Sequence, residues 1–278
     1  FPLLAKKAKN GFSAKPYDSF LFDADHIKEK EFKSKKFKGR FWSVPTVNKE
    51  EGTAFIESGN IVKFNGEKTG KLSKDKFSLS VWVKIKKDSE EKNQLLIGFV
   101  AHSGKKTEDS GWALEVKGET GKRECQFKIV ADKEGDFTSV ASAKGLFKSG
   151  QWNNIVATYD GKRLKMYLNS KLVDEEELVG EIKYTRACQL TIAGSEGNGQ
   201  RAEGDFHRFD LFKTALSPKQ VKEIYLATPK KLHKETYFAG IDKISWKYSK
   251  KSASKKSLKM KPSKFASPLN AQAERGKK

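Results

Sequence analysis

The stretch from Lys76 to Ile85 leaves the chain few choices. Phe77, Leu79, Val81, Val83 and Ile85 alternate with Ser78, Ser80, Trp82 and Lys84. A period of two places the apolar set on one face of a strand, whereas a helix would scatter it around the axis. A strand with one apolar face needs neighbours in its own sheet and a second layer to cover it.

The rest of the middle region supplies such neighbours. Leu95 to Val100 is a short apolar run suited to a strand covered on both faces. Trp112 to Val116 and Cys125 to Val130 form a further pair, joined by the turn-rich stretch from Gly118 to Lys122. Trp152 to Tyr159 and Leu164 to Leu168 flank Asp160-Gly161, a pair that supplies the positive φ angles of a tight hairpin turn. After that turn Leu164, Met166 and Leu168 point inward, and Lys165 and Tyr167 outward. Cys188 to Ala193 is one more strand, and it runs into a glycine-rich loop from Gly194 to Gly204. Phe206, Phe209, Leu211 and Phe212 follow in a last strand. One helix is expected after Ser217, with Pro218 at its first position, Gln220 completing a capping box, and Val221, Ile224 and Tyr225 as its apolar stripe. Many short strands and a single helix predict an all-β, two-sheet antiparallel sandwich with one short C-terminal helix.

Texture divides the 278 residues into three parts. Residues 1–16 read as a flexible lead-in, 17–228 as the sandwich and 229–278 as a basic tail, in which 237–248 alternates well enough for one extra strand and the remainder is expected to be disordered. The net charge of +21 is uneven: the tail holds 15 Lys and Arg against 3 Asp and Glu. Such a field favours polyanionic partners, although Lys is also the usual means of keeping sheets soluble. No nucleic-acid motif accompanies the charge, which disfavours nucleic acid. No run approaches the ~20 apolar residues of a membrane-spanning helix. The start at Phe1 is that of a processed mature protein or an excised segment. Cys125 and Cys188 are compatible with a disulfide between strands or with two buried thiols.

Four blocks, in order, resemble the laminin-G-like and concanavalin A-like jelly rolls, to which pentraxins are also related. They are Phe77 to Lys84, Gly150 to Gly161 (GQWNNIVATYDG), Leu168 to Val173 (LNSKLV) and Gly204 to Tyr225 (GDFHRFDLFKTALSPKQVKEIY). The resemblance implies a jelly-roll sandwich in a secreted, periplasmic or cell-surface protein that binds carbohydrate, including anionic polysaccharide. A protein–protein adhesion or structural module is the alternative, and a glycan-cleaving enzyme a weaker one. Relatives often hold Ca²⁺ in loops at one sandwich edge. Carried over, that site would draw on Glu196 and Asn198, but His207 stands where an acid is usual, and hard cations need more carboxylates than this loop offers.

Candidate ligand contacts are the oxygens of Glu196, Asn198 and Gln200, the ring of His207, and the flat faces of Trp82 and Trp112 as sugar platforms. Trp152 and Tyr167 lie beside them, but burial in a two-sheet core is the commoner fate of each of these rings. Trp42 is assigned to a first strand or its lead-in. The run from Asp174 to Glu177 lacks the alternate spacing that would put two carboxylates on one face, so it reads as a solvated strand end.

Overall fold

The computed structural model describes residues 14–64, 73–101, 110–131, 137–142, 145–195, 199–227 and 232. They belong to the first of two compact units, Phe1–Gly240; the second, Ile241–Lys278, lies outside the described residues, as does the extra strand expected at 237–248.

Two antiparallel sheets account for the strands among the described residues. The first runs β15 (Lys171–Glu177), β14 (Arg163–Leu168), β13 (Asn153–Tyr159), β8 (Phe77–Ile85), β17 (Gly204–Phe212), β6 (Thr53–Ile56), β5 (Thr46–Asn48), with β1 (Asp18–Leu21) also on β17. The second runs β12 (Phe137–Ala141), β11 (Glu124–Val130), β10 (Ser110–Lys117), β9 (Asn93–Ala101), β16 (Gln189–Ile192), β7 (Val62–Phe64), β4 (Lys38–Phe41), β3 (Glu31–Lys33), β2 (Ile27–Lys28). All neighbours pair antiparallel, and the order is that of a jelly-roll sandwich.

The core lies between the two inner faces. Phe77, Leu79, Val81, Val83 and Ile85 of β8 all enter it, as their alternation demands. Phe77 meets Trp112 and Phe127 of the opposite sheet at ring-centroid distances of 6.2 and 5.9 Å. At the other end Phe20, Phe22, Phe32 and Phe64 form an aromatic cluster, with Phe22 5.5 Å from Phe206. Edge-to-face and tilted pairs of this kind add to simple area burial. Cys125 and Cys188 are two buried free thiols, not a disulfide.

The outer faces of the two sheets differ. That of the eight-stranded sheet is capped by α1 (Pro218–Ala227). Ser217 opens the helix as expected: its hydroxyl accepts the Gln220 N–H at 3.3 Å, and Gln220 Oε1 accepts the Ser217 N–H at 2.9 Å. Val221 and Ile224 pack on Val156, Tyr167 and Phe212, while Tyr225 stacks on Trp82 at 5.6 Å. The approach to the helix is fixed by Ser78, which donates to the Thr214 carbonyl and accepts the Leu216 N–H, both at 2.9 Å. Of the alternates of β8, Ser78, Ser80 and Trp82 are therefore buried too, which the alternation alone did not reveal, and Lys84 is half-buried. The nine-stranded sheet has no helix of the described residues over it, and its outer face is where the chain's polar side chains gather.

At Gly111 the backbone turns through φ +98°, and a Cβ there would stand 1.8 Å from the Phe99 carbonyl oxygen. Gly111→Ala should therefore cost at least about 3 kcal/mol, from backbone strain and a forced opening of the β9–β10 pair. A fall in the urea midpoint would report it; an unchanged midpoint would mean that the two strands separate there at little cost.

Candidate functional site

Register builds the outer face of the nine-stranded sheet. Phe32, Phe41, Phe64, Leu190, Ile97, Trp112 and Phe127 point into the core, so their immediate neighbours on each strand point out. One row of directly opposed residues then crosses the whole sheet: Lys28, Glu31, Arg40, Lys63, Thr191, Gly98, Ala113, Lys128 and Ser139. Its centre is closed: Thr191 and Ala113 are 5 % and 2 % exposed, and Gly98 is buried with them. Long cations flank that centre on both sides.

The two halves of the row differ electrostatically. Towards β11, Glu115 is 1 % exposed. Its Oε1 accepts from Gln200 Nε2 at 3.2 Å and pairs with Lys128 Nζ at 2.8 Å, while Lys117 Nζ lies 3.5 Å from Oε2. Gln200 is in turn bonded to the Ser195 hydroxyl at 3.3 Å, so the end of the glycine-rich loop is tied onto the sheet. Glu115 Oε2, Gln126 Oε1 and Thr191 Oγ1 are buried acceptors without a hydrogen bond.

Towards β2, by contrast, Lys28, Lys33, Lys38 and Arg40 share three adjacent strands whose one carboxylate is Glu31. Glu31 pairs with Lys33 at 3.0 Å, and that bond, helped by the charges of Lys33, Lys38 and Arg40, holds its carboxyl below the usual range. Glu31, Lys33, Lys38 and Arg40, with Phe32 and Gly39, line an open depression of about 290 Å³. This half of the sheet is a surface on which a negative charge is stabilised.

The rings singled out from the sequence lie elsewhere. Trp82 and Trp112 are not sugar platforms: they are 1 % and 0 % exposed, the first beneath α1 and the second between the sheets. Trp152 and Tyr167 are likewise buried. His207 is also withdrawn from ligand. It sits at the bulge where β17 slips against β8, 7 % exposed, with Nδ1 donating to the Gly52 carbonyl at 2.8 Å. Glu196 and Asn198 lie outside the described residues. Among the described residues no cluster of three His, Cys, Asp or Glu could hold a metal ion. Glu175, within the acidic run, is paired with Arg163 at 2.6 Å and Lys165 at 3.3 Å along the edge strand.

Residues that sequence reasoning passed over carry the face instead. Lys28, Lys33, Lys38 and Arg40 lie in strands of two to four residues, too short for a periodic signal. Glu115 was hidden within a strand otherwise apolar, and burying a carboxylate at an apparent surface position needed Lys128 from the neighbouring strand.

Comparison with known proteins agrees with the architecture. A laminin-G sequence model, described as the concanavalin A-like lectin/glucanases superfamily, matches residues 59–222. Pappalysin-1 of mouse and of human are each 24 % identical over 157 residues, which is 54 % of this chain. The chain spans about a tenth of those relatives' length (10 %). The binding domain of botulinum neurotoxin serotype D superposes with a TM-score of 0.56 at 15 % identity, covering 77 % of this chain and 51 % of that one. The ligand-binding domain of the same serotype, solved in complex with N-acetylneuraminic acid, gives 0.56 at 16 % identity with the same coverage. At such identities the likeness is one of fold.

Burial pushes the His207 imidazole below its ordinary pKa. The unfolded chain, titrating near about 6.5, then binds the proton more readily than the folded one, so stability declines as pH falls from neutral through that value towards the folded pKa. His207→Gln keeps an N–H for the Gly52 carbonyl and cannot titrate. Its unfolding free energy should fall less between pH 7 and pH 5 than that of the wild type. Equal slopes would assign the acid sensitivity to other groups.

Proposed function

The chain belongs to the concanavalin A-like lectin/glucanase superfamily, and on that premise we propose that it is a carbohydrate-binding module. Its ligand is an acidic polysaccharide, held on the outer face of the nine-stranded sheet. The observation that carries this reading is the set of four cations around the carboxylate of Glu31 on β2, β3 and β4, beside an open depression.

The chemistry follows from the layout. Adjacent strands stand about 4.8 Å apart, so Lys28, Lys33 and the pair Lys38 and Arg40 put positive charge on three successive strands, with Glu31 among them, for a chain laid across the strands. Arg40 offers a planar fork suited to carboxylate or sulfate, and the lysines offer mobile point charges. Beyond Lys63 the row is buried at Thr191, Gly98 and Ala113, so the part of the face open to a ligand is the half formed by the opening strands. Acidic polysaccharides of this kind are surface and matrix components, so the same reading places the protein in a secreted or cell-surface setting. The basic tail, with its net charge of +12, adds a less selective attraction to the same ligands.

Binding of the full chain to heparin, dextran sulfate and alginate, beside a neutral dextran, tests the reading at about 50 and 500 mM salt. Affinity for the acidic polymers should fall with salt, and the neutral polymer should not bind. Arg40→Ala should weaken binding about two- to fivefold, as expected for one exposed charge pair. Glu31→Gln should strengthen it by a similar factor, because it removes the one competing anion. Failure of all three acidic polymers to bind at low salt would overturn the proposal. Binding indifferent to both substitutions would move the site off this face.

A further inference from the structure

Trp42 is 58 % exposed, whereas Trp82, Trp112 and Trp152 are at most 1 % exposed. A single exposed apolar residue is common and by itself means little. The setting of this one is particular. Phe41, just before it, closes β4 and is fixed in the core at 2 % exposure, and Trp42 leaves the strand in a bend two residues beyond Arg40. On its other side the Ser43 N–H donates to Asn60 Oδ1 at 2.9 Å, and Asn60 is itself buried. The indole therefore stands on a backbone held on both sides, two residues along the chain from Arg40, which lines the cationic depression.

We propose that Trp42 is the stacking platform of a subsite that holds one sugar ring of the acidic polysaccharide, with the acidic substituent directed towards Arg40. The inference rests on the reading of the sheet face given above, and it narrows the ligand from polyanions in general to pyranose polymers. An indole offers a flat apolar surface to the C–H face of a sugar ring. Arg40, two residues earlier in the chain, gives the acid a partner to point towards. Neither feature alone separates a glycan from other polyanions; together they fit a ring with an apolar face and an ionised substituent at its rim.

The test uses full-length chain carrying Trp246→Phe, so that Trp42 is the exposed reporter among residues whose indole environment is known. Titration with heparin oligosaccharides should change the tryptophan emission and shield it from acrylamide. Trp42→Ala should abolish that change and weaken heparin binding roughly five- to tenfold, with Trp42→Phe in between and an unaltered melting temperature for both. Equal heparin affinity in Trp42→Ala and wild type would overturn the stacking subsite and leave the charged face standing. Wild-type chain that binds no acidic polysaccharide would overturn the underlying reading, and the subsite with it. A Trp42-dependent affinity for single-stranded poly(dT) exceeding that for heparin would assign the ring to bases instead of sugars, and would also overturn the proposal.

Discussion

Burial of one face of each strand fixes the identity of the other. Phe32, Phe41, Phe64, Leu190, Ile97, Trp112 and Phe127 occupy the inner side of the nine-stranded sheet. A slip of one residue in any pairing would carry that strand's aromatic or aliphatic side chain into water and its Lys or Thr into the core. The penalty for burying an unpaired ammonium is far larger than the gain from any surface contact. The cationic row is thus held in line by the hydrophobic residues behind it, and it needs no attraction among its own members. Like charges on adjacent strands repel, and the core absorbs that cost.

The same two-sided logic explains which parts of the fold were legible in the sequence. Phe77 to Ile85 could be read because nine residues give the period room to show. The Asp160-Gly161 hairpin and the Ser217 capping box could be read because each has local chemistry of its own. The opening strands β2 to β5 could not, since none exceeds four residues and their inward members are single apolar residues, Ile27, Phe32, Phe41 and Val47, among polar ones. Trp82 shows the limit in the other direction. Its alternation places it on the outer side of β8, and it is there, but a helix more than 130 residues later in the chain covers it. No local window holds that information.

Glu115 illustrates why the site was harder to read than the fold. In sequence it is one acid in an apolar strand; in space it joins Lys128, Lys117 and Gln200 from three different segments. The cations of β2 to β7 likewise become one surface only through strand order, since β7 is joined to β4 and β16 and not to its neighbours in sequence. A charge count sees the excess of Lys and Arg, but only topology turns it into a direction along which a polymer can lie.

The pairing of β1 with β17 has a consequence of another kind. Asp18 stands opposite Leu211, and the Tyr17 N–H donates to the Leu211 carbonyl at 2.7 Å. The first described strand of the sandwich and the last thus lie side by side. A domain whose entry and exit adjoin behaves as a bead that can be threaded into a longer polypeptide without straining either flank. Its charged sheet would then travel intact among whatever neighbouring modules the polypeptide carries.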